Sequence, residues 1–203
     1  LGQGRNRPTF TFTTANGASF DIGAANCHVE GLVFINGKDG QTAVVNVTAA
    51  DVTIKGCEFM LADASTQAVV GILASAAADR LTVDGCHLHG TADAGVTSAI
   101  SIGACDDAVI KNCIVTGAHS TSGSIANSAA AINVVVQGNV IINNTADGNN
   151  KAVVFHGSTT GLIVDNRVAI IDSTSPAPFT AAAGYVSNNY IVGAVGVAAS
   201  TLV

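Results

Sequence analysis

Residues 109–116 read VIKNCIVT: two strand-like apolar runs hinged on a Lys-Asn pair. Alternation in each run has the period of two expected of a β-strand. Asn at the hinge tolerates the left-handed backbone that a sharp corner demands. The same eight-residue pattern stands upstream as HVEGLVFI (28–35), TIKGCEFM (53–60) and TVDGCHLH (82–89). Downstream it becomes VVQGNVII (135–142), IVDNRVAI (163–170) and YVSNNYIV (185–192). The residue following the corner runs Leu32, Cys57, Cys86, Cys113, Asn139, Asn166 and Asn188, at intervals of 22 to 29 residues. A further strand precedes each pair, as in ASFDIGAANC (18–27), TAVVNVTAAD (42–51), AVVGILASAAADR (68–80), SAISIGACDD (98–107) and KAVVFHGSTTG (151–161). Three short strands in a period in the twenties predict a parallel β-solenoid of about seven coils.

Two columns support that stacking. The residue before the corner runs Glu30, Lys55, Asp84 and Lys111, then Gln137 and Asp165. Alternating sign avoids like charges on adjacent rungs. The residue after it runs Cys, Cys, Cys, Asn, Asn, Asn, and stacked amides can bond along the column. The chain is expected to be one β-helix domain over 1–203. The repeats span 10–195, 196–203 form a C-terminal tail, the N-terminus is incomplete and neither end is capped. Polar segments at 61–67, 90–97, 117–130, 143–150 and 172–178 read as insertions gathered on one side.

Composition agrees with the repeat. Of 203 residues, 48% are hydrophobic, 11% charged and 4% aromatic, with 22 Gly and no Trp. So many apolar residues exclude a disordered chain. A formal net charge of −6 without a basic stripe argues against a nucleic-acid partner. No apolar run of membrane-spanning length occurs, so no membrane partner is expected. Five cysteines, with no CxxC, read as buried free thiols assembled in a reducing compartment.

GLVFING, VTIKGCEF, LTVDGCHLHG, AVIKNCIVTG, VVVQGNVIIN and LIVDNRVAI resemble right-handed parallel β-helix repeats of the pectate-lyase-like superfamily. The resemblance covers residues 10–195 and implies a right-handed parallel β-helix. The run RNRPTFTFTTANGASFDIGAANCHVEGLVFING (5–37) is similar to the openings of β-helix structural proteins of tailed bacteriophages. That implies a virion protein, associated with capsid or tail and often oligomeric.

A lyase of the superfamily would need clustered carboxylates for Ca²⁺ and a basic residue. A hydrolase would need convergent carboxylates. Asp106-Asp107 is the only adjacent acidic pair, and it reads as turn chemistry equivalent to Ala50-Asp51. Arg80 follows Asp79 in a similar turn and reads as half of a surface ion pair. Arg167, beside Asp165, lacks a carboxylate cluster on neighbouring coils. Glu58, His87 and His89 form an outward patch that could bind a metal or move protons; a solvated face or a subunit contact is the plainer reading. His28, His119 and His156 have no partner at a matched coil position. Tyr185 and Tyr190 are the only tyrosines, few for a sugar-stacking groove. No GxSxG, HExxH or phosphate-binding loop occurs.

The expectation is therefore a non-enzymatic virion structural protein with no catalytic, cofactor or metal site. It would decorate or cement a capsid, or belong to a tail, after assembly in the host cytoplasm. Its partners would be the major capsid protein or tail proteins and further copies of itself, a trimer being favoured. A tailspike-type polysaccharide lyase or hydrolase domain is the alternative, and a cell-surface adhesin module the third.

Overall fold

The computed structural model describes residues 7–13, 17–61, 67–90, 96–119, 122–144, 151–170 and 178–192, and the backbone of 201–202. Among these the only regular elements are strands, arranged in three parallel sheets. Sheet B holds seven strands, Phe20–Ile22 to Phe179–Thr180. Sheet C holds seven, His28–Glu30 to Tyr185–Ser187. Sheet A holds nine, from Thr9–Phe12 through Val33–Asn36 to Tyr190–Val192, with Thr201–Leu202 at its edge. Each coil passes through sheets B, C and A in turn. Seven strand triplets are thus related by six helical turns, an all-β solenoid of the expected kind.

Registers run without slips through the column at the heart of sheet C: Val29, Ile54, Val83, Ile110, Val136, Ile163 and Val186. The corresponding sheet A column is Phe10, Phe34, Phe59, Leu88, Val115, Ile141, Val168 and Ile191. From Phe34 to Ile191 this second column is buried. Identical positions stack at about 4.8 Å, so each coil must present a compact side chain there. At the N-terminal end the rings of Phe10, Phe34 and Phe59 stack, and Phe20 meets Phe10 and Phe34 edge-on.

The corner between sheets C and A has positive φ in every coil, at Gly31, Gly56, Gly85, Asn112, Gly138, Asp165 and Asn188. Two sequence assignments shift by one residue here. Asn188 turns the corner, and the buried residue after it is Asn189, which donates its Nδ2 to the Ile163 carbonyl. Asp165 likewise is the corner residue; the register partner of Gln137 is Val164. Asp165 still accepts from Gln137 Nε2 at 3.3 Å.

Two larger corrections concern the loops and ends. Segment 117–130 is not a plain insertion: Ile125–Asn127 is the sheet B strand of its coil, pairing with Ser98–Ile102 and Val153–Val154. Nor is the C-terminal edge of sheet A open. Thr201–Leu202 pairs antiparallel with Tyr190–Ile191, a cheap way to blunt a strand edge. Most of the insertions at 61–67, 90–97, 143–150 and 172–178 lie outside the described residues.

Candidate functional site

The outward face of sheet A carries two columns of side chains. One runs Val33, Glu58, His87, Ile114, Val140, Arg167 and Tyr190; the other Ile35, Met60, His89, Thr116, Ile142, Ala169 and Val192. Glu58 and His87 are directly opposed across neighbouring strands, as coil alignment predicts. With Cys86 and Leu88 buried, His87 and His89 lie on the outer side, their ring centroids 3.5 Å apart. His89 Nε2 stands 3.5 Å from Glu58 Oε1. Burial, then the charge of His89, holds His87 below the usual imidazole range, with Glu58 opposing.

Sequence reasoning missed Arg7. Its guanidinium donates to the carbonyls of Gly31 at 2.9 Å, Leu32 at 3.0 Å and Gly56 at 2.6 Å, and to Glu58 Oε2 at 3.1 Å. One planar fork thus ties the N-terminal segment across two corners and closes the patch. Among the described residues no three His, Cys, Asp or Glu side chains are arranged to hold a metal ion. The patch can exchange protons and can meet a partner surface.

Further along, the same face turns apolar. Ile114, Tyr190 and Val192 are exposed, as is Met60 near the patch. A shallow groove of about 160 Å³ lies between Val140, Ile142, Arg167, Ala169, Tyr190 and Val192. Arg167 is exposed and joins none of the ion pairs among the described residues.

The other candidates have local partners. Arg80 pairs not with Asp79 but with Asp51 one coil earlier, through two hydrogen bonds of 2.6 and 2.7 Å. Those bonds hold Asp51 below the usual carboxylate range. Asp106 Oδ1 accepts the Ile132 amide and Asp107 Oδ1 accepts Asn133 Nδ2, so the acidic pair fastens a corner. His28 Nε2 meets Glu30 at 3.0 Å. His156 Nδ1 accepts the Ser158 amide. Tyr185 is the more exposed tyrosine, at 64%.

His119 is fully buried. Its Nδ1 meets Ser124 Oγ at 2.9 Å, while its Nε2 has no hydrogen-bond partner among the described residues. Desolvation pushes its pKa down to about 4, so the ring is neutral in the folded protein. Nearby, on the outer side of sheet B, a cleft of about 360 Å³ is lined by Thr97, Ser98, Ser101, Ser122, Asn127 and Ser128 over Ala126 and Val154. Among the described residues, no charged side chain lines it.

Cys57, Cys86 and Cys113 form the buried column that coil alignment predicts, and all are free thiols. Hydrogen bonding with Cys113, then burial, pushes Cys86 up to about 12. Continuing the column, Asn139, Asn166 and Asn189 are each 0% exposed.

Among curated proteins and among solved structures, nothing matches the chain. The family model described as "Right handed beta helix region" matches residues 8–175. That span takes in the first six of the seven strand triplets described above, and the chain belongs to the right-handed β-helix family.

Proposed function

We propose that the protein is a non-enzymatic structural component of a bacteriophage virion, a rigid β-helix that decorates or cements a head or forms part of a tail. The observation that carries the reading is the outward face of sheet A. It exposes Met60, Ile114, Tyr190 and Val192 on a stack held by continuous ladders. Apolar side chains on a stiff, sparsely charged surface suit protein contacts. The placement in a virion rests on the phage-like opening at residues 5–37. Partners would be capsid or tail proteins and further copies of the chain. Mass spectrometry and immunogold labelling of particles produced from the encoding genome test this. The chain should be present, at hundreds of copies if it decorates a head; particles without it end the proposal.

The hydroxyl-lined cleft favours a second reading, a polysaccharide-binding or polysaccharide-cleaving domain. Thr, Ser and Asn over a small apolar floor suit a neutral hydroxylated ligand. Incubation with host surface polysaccharides would then release new reducing or unsaturated ends.

A further inference from the structure

We infer that the outward face of sheet A is a self-association surface, on which two copies pack face to face about a two-fold axis at Ile114. The inference rests on the self-association in the reading above, not on residence in a virion.

Charge argues for a second copy as the occupant. The molecule carries a net charge of −6, so two copies repel over most of their surfaces. Among the described residues, the fixed charges on this face are only Glu58, Arg167 and the overlying Arg7. Repulsion is least there, and a strongly charged partner would find little to pair with.

Position argues for the symmetry. Glu58 lies two strands before Ile114 in its column, and Arg167 two strands after it. A two-fold axis along the Ile114 strand reverses the order of strands in the second copy. Each Arg167 then lies over the Glu58 of the other molecule. Glu58 already accepts from Arg7, and a carboxylate has room for about four hydrogen bonds. An interface must supply Arg167 with such a partner or bear a buried unpaired charge. A three-fold axis along the stack would instead bring identical rungs together, and so three Arg167 side chains.

Shape agrees with charge. The same operation sets Met60, 45% exposed, over Ala169 of the other copy, beside the groove closed by Tyr190 and Val192. A large flexible side chain meets a small one. Ile114 packs on its own copy. Two outward residues per strand make a small contact beside the roughly 20–30 residues per side of a standard interface, so a micromolar dimer is expected.

Sedimentation velocity on the full chain, across a concentration series, tests the arrangement. Arg167→Glu and, separately, Met60→Asp should each weaken dimerisation about tenfold or more. The double variant Glu58→Arg/Arg167→Glu should recover it. All these positions are on the outer side of the sheet, and circular dichroism confirms that each variant folds. Oligomers indifferent to Arg167→Glu and Met60→Asp would overturn this face while leaving self-association standing. A trimer weakened by them would overturn the two-fold arrangement. A chain monomeric at the highest concentration would overturn both the face and the self-association it rests on.

Discussion

Asn166 Oδ1 accepts two hydrogen bonds from Asn139, one from its backbone N–H and one from its Nδ2, each 2.9 Å long. Asn166 Nδ2 in turn donates to the Val136 carbonyl at 3.0 Å. Asn166 Nδ2 also donates to Asn189 Oδ1 at 2.9 Å. Replacing Asn166 by Leu should therefore leave the buried Asn139 N–H without its acceptor and remove one bond each from Asn139 Nδ2, the Val136 carbonyl and Asn189 Oδ1. At about 1–3 kcal/mol for an unsatisfied buried group, a loss of roughly 4 kcal/mol is expected. Gln137→Ala, one coil earlier on the exposed side, should cost under about 0.5 kcal/mol. Urea unfolding of the two variants checks the contrast.

Cysteine and asparagine do the same work in this column. Cys86 Sγ reaches the Ile54 carbonyl at 3.5 Å and Cys113 Sγ the Val83 carbonyl at 3.8 Å, the position that Asn139 Nδ2 occupies towards Ile110 at 3.1 Å. Cys113→Asn should extend the amide ladder by one rung and leave the unfolding midpoint unchanged or raised. Cys113→Leu offers no donor and adds bulk, and should cost about 1–3 kcal/mol. In the native protein Cys57, Cys86 and Cys113 should react with thiol reagents only at the rate of unfolding. Fast labelling of all three would contradict their burial.

His119 gives the fold a dependence on acidity. Its pKa is about 4 when folded, against the ordinary 6.5 when unfolded. A depressed folded value means that the stabilisation is complete above about pH 6.5 and is lost as pH falls towards 4. The full difference amounts to about 3 kcal/mol. His119→Gln should flatten much of the pH–stability curve between neutral pH and about pH 4.5, leaving the smaller contribution of His87, whose pKa is also lowered, and that of the carboxylates. Urea midpoints for both proteins across that range would reveal parallel curves if His119 were charged in the fold.

Arg7 pins the first strand. Arg7→Ala should release the hydrogen-exchange protection of Thr9–Phe12 while later coils keep theirs, because its partners lie only at the first two corners. Lysine cannot reproduce the fork, so Arg7→Lys should behave like the alanine variant.

Gly161 adopts φ +146, and a Cβ there would overlap the Val134 carbonyl oxygen. Gly161→Ala should therefore abolish folding or cost more than about 4 kcal/mol. At Gly31, with φ +71 and open space around it, Asn should be nearly neutral, as Asn112 and Asn188 already turn the same corner. Thermal melts of the two variants distinguish a blocked backbone from a permissive one.

The solenoid was legible because a corner recurs with unmistakable chemistry: Gly, Asn or Asp, then a residue that must be buried. Tandem Asn188-Asn189 defeated the assignment by one residue, since either amide suits either place until the register with Ile163 is known. Ile125–Asn127 escaped notice because three residues flanked by Ser, Gly and Ala show too little alternation to stand out. The Glu58–His87–His89 patch followed directly from coil alignment. Arg7 did not: its bonds are mostly to backbone carbonyls of corners 24 to 49 residues away, and carbonyls leave no mark on a sequence.

The asparagine column has a direction. The corner amide of Cys113 is satisfied by Asn139, that of Asn139 by Asn166, and that of Asn166 by Asn189, always from the coil that follows. As the chain leaves the ribosome, the newest coil of this region waits for its successor to complete it. A fragment halted within the column displays an unanswered N–H at its growing end, which makes an interrupted product chemically distinct from a finished one.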